Sequence, residues 1–89
     1  MIARHFVVSG IVQDVFFRAN TKKQADALGI VGWVRNCDDG SVEVHAEGSE
    51  DQLKALEAWL HEGPEMATVD SVQADEADVI GHDGFEIVY

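Results

Sequence analysis

Residues 41–62, SVEVHAEGSEDQLKALEAWLHE, contain the change of period that decides the fold. Over 41–47 apolar and polar residues alternate, with Val42, Val44 and Ala46 on one side and Glu43, His45 and Glu47 on the other. This period of two is that of a strand with one face on a core, its Glu43, His45 and Glu47 side chains turned outward. From Ser49 onward the pattern becomes helical. Ser49 and Gln52 form a capping box, and Glu50 and Asp51 complement the positive end of the helix. Leu53, Leu56 and Leu60 then fall on one face, with Trp59 beside them. Gly63-Pro64 stops the helix.

The flanking segments extend this unit in both directions. Upstream, Cys37-Asp38-Asp39-Gly40 reads as a hairpin turn on its Asp-Gly pair, joining 41–47 to a strand over 30–36, IVGWVRN. A helix from about Arg18 to Leu28 comes before it, with Ala25 and Leu28 inward and Gly29 closing its C-terminus. Residues 2–9, IARHFVVS, form the first strand, which Gly10 ends. Downstream, a weakly alternating strand lies within 68–77. Asp83-Gly84 then turns the chain into a short strand over 85–89, with Phe85, Ile87 and Tyr89 on one face. The order β-α-β-β-α-β plus a short β is the ferredoxin-like pattern. It implies an α+β fold with an antiparallel sheet and both helices on one face. The length, 89 residues, suits a single domain spanning 1–89.

This topology places the first two strands parallel, with the third between them. Their C-terminal ends, at Gly10 and Asn36, then lie at the same end of the sheet. The loop leading to Arg18 becomes a spatial neighbour of Asn36.

Composition narrows the function. The chain has 6 Lys+Arg against 17 Asp+Glu, a formal net charge of -11, and 46% hydrophobic residues. Such a surface repels phosphate backbones, which argues against a nucleic-acid partner. Arg18, Lys22, Lys23 and Arg35 are close in sequence, enough for a small anion but too little for a duplex. The acidic bias fits an ordinary acidic protein or one from a cytosol with molar salt, where the Debye length falls to ~3 Å. No apolar run approaches the ~20 residues that cross a bilayer, and the apolar stretch at the N-terminus is too short for a signal peptide. The lone Cys37 excludes an intramolecular disulfide. The expectation is a cytoplasmic monomer without membrane contact.

The segment from Gly10 to Arg18 reads as a strand end, a loop and a helix start. Amides in such a loop can converge on an anion, and the Arg18 fork matches two oxygens of a phosphate or carboxylate. The competing reading is a plain connection with Arg18 in a surface salt bridge. Elsewhere His5, His45, His61 and His82 are scattered without metal-ligand spacing and read as surface residues. Asp75, Glu76 and Asp78, with His82 and Asp83, read as a solvated acidic edge, and Asp38-Asp39-Gly40 lacks the rest of a calcium loop. Cys37 reads as an inert thiol. Trp33 and Trp59 read as packing residues, Trp33 being near enough to flank the loop.

Gly10-x-Val12-Gln13-x-Val15-x-Phe17-Arg18, then Gly32-Trp33-Val34-Arg35-Asn36 and Asp39-Gly40-x-Val42-Glu43, resemble the two signatures of the acylphosphatase family. The resemblance covers essentially the whole chain, including the closing aromatic Tyr89. It implies hydrolysis of the carboxyl-phosphate bond of acyl phosphates to a carboxylate and inorganic phosphate, without metal or cofactor. By position, Arg18 and the amides of Gln13, Asp14, Val15, Phe16, Phe17 and Arg18 would bind the phosphoryl group. Asn36 would position the attacking water, with Gly10 and Thr21 in support.

Three positions depart from the family pattern. Asp14 stands where glycine is usual, Cys37 where threonine is common, and Val88 where arginine is frequent. A carboxylate at Asp14 opposes a bound phosphate unless it points outward into solvent, which is the expected orientation. Asp14 also leaves an alternative open, a non-catalytic module on the same fold that binds a small molecule or anion. RNA-recognition domains share the fold, but neither their aromatic signature nor a basic surface is present.

Overall fold

A computed structural model describes residues 1–89. Its elements are β1 (Ile2–Ile11), α1 (Phe17–Leu28), β2 (Val31–Asn36), β3 (Val42–Gly48), α2 (Glu50–Glu62), β4 (Thr68–Ala77) and β5 (Phe85–Val88). The five strands form one sheet in the order β4-β1-β3-β2-β5. β3 runs antiparallel to both β1 and β2, and β4 antiparallel to β1, whereas β5 pairs parallel with β2. The sheet is therefore mixed. The expectation of an antiparallel sheet holds for four strands and fails at β5, which no local pattern could place beside β2.

The two periods seen in the sequence build the core. β3 contributes Val42, Val44 and Ala46, β1 contributes Phe6 and Val8, and β2 contributes Val34. Leu53, Leu56 and Leu60 of α2 and Phe17 and Ala25 of α1 close over that face, with Leu28 and Trp59 at the margin. Ser49 caps α2 as expected, accepting from the Gln52 amide while the Gln52 side chain accepts from the Ser49 amide. The Gln52 carboxamide also donates to Leu28 O at 2.8 Å, tying the start of α2 to the end of α1.

β1 does not stop at Gly10. It continues to Ile11 through a register shift at Ser9/Gly10, with Gly10 opposite Val69 and Ile11 opposite Thr68. Gly10 has φ 131°, and a side chain there would meet the Thr68 carbonyl oxygen at 2.2 Å. Glycine is thus needed where β4 closes on the strand, and the bulge re-aims the loop that follows.

The outward residues of β3 are on the face opposite the helices, as the alternation requires, yet His45 and Glu47 are buried. The crossover 78–84, which carries the chain from β4 at one sheet edge to β5 at the other, passes over this face. The amides of Ile80, Gly81 and His82 donate to the Glu47 carboxylate at 2.7, 3.1 and 3.2 Å. The His45 ring nitrogen Nε2 lies 2.7 Å from the same carboxylate, which can only accept, so Nε2 carries the proton. Burial pushes the Glu47 carboxyl up, but these donors outweigh it and lower its pKa from 4.5 to about 2.

Candidate active site

The site lies where β1 and β2 end. Val12, Asp14, Phe16, Phe17, Arg18, Ala19, Asn36, Ile87 and Tyr89 line a cavity of about 350 Å³. The loop's backbone explains its shape. Asp14 and Phe16 both have φ 62°, on either side of Val15, which does not. Alternating the sign of φ turns neighbouring amides toward one side and makes a concavity for an anion. Buried Val12, Val15 and Phe17 hold the loop on the core, with the Phe17 ring 5.6 Å from that of Trp59.

Nothing in the chain caps α1. Its N-cap residue, Phe16, makes no side-chain cap bond, and no acidic residue occupies the first turn. From Asp14 onward, the first amide to find a backbone acceptor is that of Asn20, on Phe16 O at 3.1 Å. The preceding amides keep their donors, at the positive end of the helix dipole. Thr21 is fully buried, and its hydroxyl donates to Phe17 O at 2.8 Å, fixing the first turn from within.

The Arg18 guanidinium is braced by the C-terminal segment. Its Cζ lies 4.7 Å from the centre of the Tyr89 ring, and Nη1 makes a long 3.4 Å contact to Val88 O. The other donors of the fork remain unpaired. Across the cavity, Asn36 Oδ1 is buried and accepts no hydrogen bond. An orphaned carboxamide oxygen beside a guanidinium and a row of unsatisfied amides suits a water molecule as its donor.

Other residues singled out in the sequence have different surroundings. Gln13 is half-buried, and its Nε2 donates to Cys37 O and Ser41 O at 2.7 and 2.9 Å, so its side chain fastens the loop to the 37–41 turn. Of the four nearby cations, only Arg18 lines the cavity. Lys22 bonds Asp26 and Phe85 O, and Arg35 pairs with Glu43 on the outer sheet face. Burial pushes the Glu43 carboxyl up, while Arg35 and His5 donate to it and bring it below its ordinary value. Trp33 does not flank the cavity; it stacks on His45 with ring centres 5.9 Å apart. Asp14 lines the cavity rim and is exposed.

The histidines correct a second expectation. His45, Glu47 and His82 bring their ligand atoms within 4.8 Å of one another, although the sequence separates His82 widely from the others. They are the residues best grouped to hold a metal. Each Glu47 oxygen already accepts two hydrogen bonds, however, so the carboxylate acts as an anchor for the crossover.

Sequence reasoning missed Tyr89 as a partner of Arg18 and Glu47 as the clamp on the segment leading to it. The alternation of Phe85, Ile87 and Tyr89 was the available signal for the first. Nothing local marked the second.

Comparison with known proteins agrees with this geometry. Residues 4–87 match the acylphosphatase family. An acylphosphatase of Marinobacter nauticus is 58% identical over 72 residues, 81% of this chain and 78% of the relative. One of Pseudomonas aeruginosa is 49% identical over 86 residues, 97% of this chain and 94% of the relative. The crystal structure of acylphosphatase from Bacillus subtilis superposes with a TM-score of 0.97 at 37% identity, covering 100% of both chains.

Proposed function

The chain belongs to the acylphosphatase family and hydrolyses acyl phosphates, and we propose that Arg18, the loop amides and Asn36 divide the work between them. In this reading the amides of Gln13 to Arg18 and the guanidinium of Arg18 hold the phosphoryl oxygens. Asn36 Oδ1 accepts a hydrogen bond from a water molecule and so turns one of its lone pairs toward phosphorus. The water oxygen bonds to phosphorus as the bond from phosphorus to the acyl oxygen breaks. The electron pair of that bond leaves with the carboxylate, and the proton lost by water passes to a phosphate oxygen. The products are a carboxylate and inorganic phosphate.

The residue set suits this chemistry. A carboxylate is a good leaving group, so no strong acid is required. Phosphoryl transfer passes through a loose transition state, and catalysis is chiefly positioning and charge stabilisation. Donors fixed in advance supply the stabilisation without reorganising. Gly10 and Thr21 support the loop, Gly10 through the bulge and Thr21 through its bond to Phe17 O. We also take residues 1–89 to act as one domain and a monomer of the cytoplasm, a reading that rests on the lone cysteine and the acidic charge. A non-catalytic anion-binding role finds no support among the relatives.

The observation that carries the site assignment is the orphaned Asn36 Oδ1 in the same cavity as Arg18 and an uncapped helix start. Hydrolysis of acetyl phosphate with excess chelator tests it. Undiminished turnover is expected, because Arg18 and the amides supply the positive charge. Activity that vanishes with chelator and returns with a divalent cation would contradict the division of roles.

A further inference from the structure

The cavity has a neighbour. On the far side of Phe16, a second depression of about 280 Å³ is lined by Val15, Phe16, Asn20, Pro64, Glu65 and Met66. Phe16 lines both and is the one residue they share. That side chain is held outward, 71% exposed, by a backbone in the left-handed region, which a bulky aromatic rarely adopts. Met66 is 68% exposed beside it. Neither residue is in the core cluster.

The topology fixes where this depression lies relative to the reaction. β1 has β4 on one side and β3, then β2, on the other. Asn36 ends β2, whereas Pro64 to Met66 precede β4, whose first residue, Thr68, lies opposite Ile11. Asn36 and the Pro64–Met66 segment therefore flank the phosphate loop from opposite sides. Phosphoryl transfer keeps the attacking and leaving oxygens roughly in line. Water on the Asn36 side sends the acyl oxygen away from Asn36, and Phe16 is the residue that the two cavities share.

We propose that this depression is the acyl subsite, selecting substrates whose acyl group is apolar and uncharged. The inference rests on the reading of the 13–18 loop as the phosphate cradle. Its volume exceeds the ~150 Å³ that holds a benzene ring. Phe16 and Met66 offer an aromatic face and a thioether that adapts to the shape of an apolar group. The Glu65 carboxylate, on a chain of net charge -11, repels an acyl group carrying a second carboxylate.

The test compares kcat/KM for acetyl, benzoyl and succinyl phosphate in the wild-type protein, Met66→Ser and Glu65→Gln. Benzoyl phosphate is expected to be favoured over acetyl phosphate by about tenfold, since one added apolar group in a pocket is worth that much or more. Met66→Ser should reduce this preference by about fivefold and leave acetyl phosphate unchanged. Glu65→Gln should raise kcat/KM for succinyl phosphate by about threefold at low salt, again with acetyl phosphate unchanged. If acetyl phosphate is turned over but neither substitution alters selectivity, the subsite is refuted and the phosphate cradle stands. Equal losses on all three substrates also refute it, by showing a purely structural effect. If no acyl phosphate is turned over, the cradle reading and the subsite fall together.

Discussion

Replacing Glu47 with Gln should destabilise the protein by about 3 kcal/mol at pH 7, a figure reached by two routes through the same hydrogen bonds. The first route is linkage. A carboxyl held at about 2 rather than 4.5 favours the folded state by roughly 3 kcal/mol once it is ionised in both states. Its folded pKa is depressed, so this stabilisation is complete above about pH 4.5 and is lost as pH falls through about 2. The second route counts hydrogen bonds. The carboxylate accepts from Ile80, Gly81 and His82 amides and from His45. A Gln side chain keeps one acceptor oxygen, and its NH2 faces donors where the second oxygen was. At least one buried amide then goes unpaired, at about 1–3 kcal/mol, and the remaining bonds lose their charge assistance. Urea unfolding of both proteins between pH 7 and pH 2.5 provides the assay. The gap should be about 3 kcal/mol at pH 7 and should shrink steadily below pH 4.5. Asp39 and Glu43 also have lowered pKa values, so both proteins weaken in acid, but only the difference between them reports Glu47. A gap below 1 kcal/mol at pH 7, or one unchanged at pH 2.5, would refute the clamp.

Arg18→Ala should reduce turnover by a factor on the order of 10² and weaken inhibition by phosphate. Asn36→Ala should reduce kcat by about 10² while leaving phosphate inhibition nearly intact, since it orients water rather than the anion; the reverse pattern would exchange their roles. Asp14→Gly should change the phosphate inhibition constant by less than about threefold at 0.1 M KCl if the exposed carboxylate points to solvent. A tightening of tenfold or more that fades with salt would show it pointing inward. If the net charge of -11 is an adaptation to salt, the melting temperature should rise between low ionic strength and ~1 M KCl. A flat profile would leave an ordinary acidic protein.

The parts of the fold that were legible depend on neighbours in sequence. The capping box at Ser49 and Gln52 and the Asp39-Gly40 turn are local, and each forms as read. The alternation of β3 also gave the correct face for every residue. What it could not give was the cover over that face. His45 and Glu47 are buried by a crossover more than thirty residues away, and their polar character read as exposure. The same limit applies to β5, whose parallel pairing with β2 is non-local. Gly10 reads as the end of the first strand, yet the strand runs on to Ile11 and glycine is required there by the close approach of Thr68. At the site, the juxtaposition of the Arg18 loop and Asn36 followed from strand order. The αL backbone at Asp14 was signalled too, since Asp stands there where glycine is usual and tolerates that region better than most residues; the one at Phe16 was not, because a bulky aromatic rarely adopts it.

The central claim is that a water molecule held by Asn36 attacks phosphorus while Arg18 and the loop amides hold the phosphoryl group. Hydrolysis of benzoyl phosphate in water enriched in oxygen-18, under single-turnover conditions, tests it at the reacting atom. Mass spectrometry of both products locates the new oxygen. The account predicts one labelled oxygen in inorganic phosphate and none in benzoate, because the bond that forms is to phosphorus. Label in benzoate would mean attack at the acyl carbon and would contradict the account.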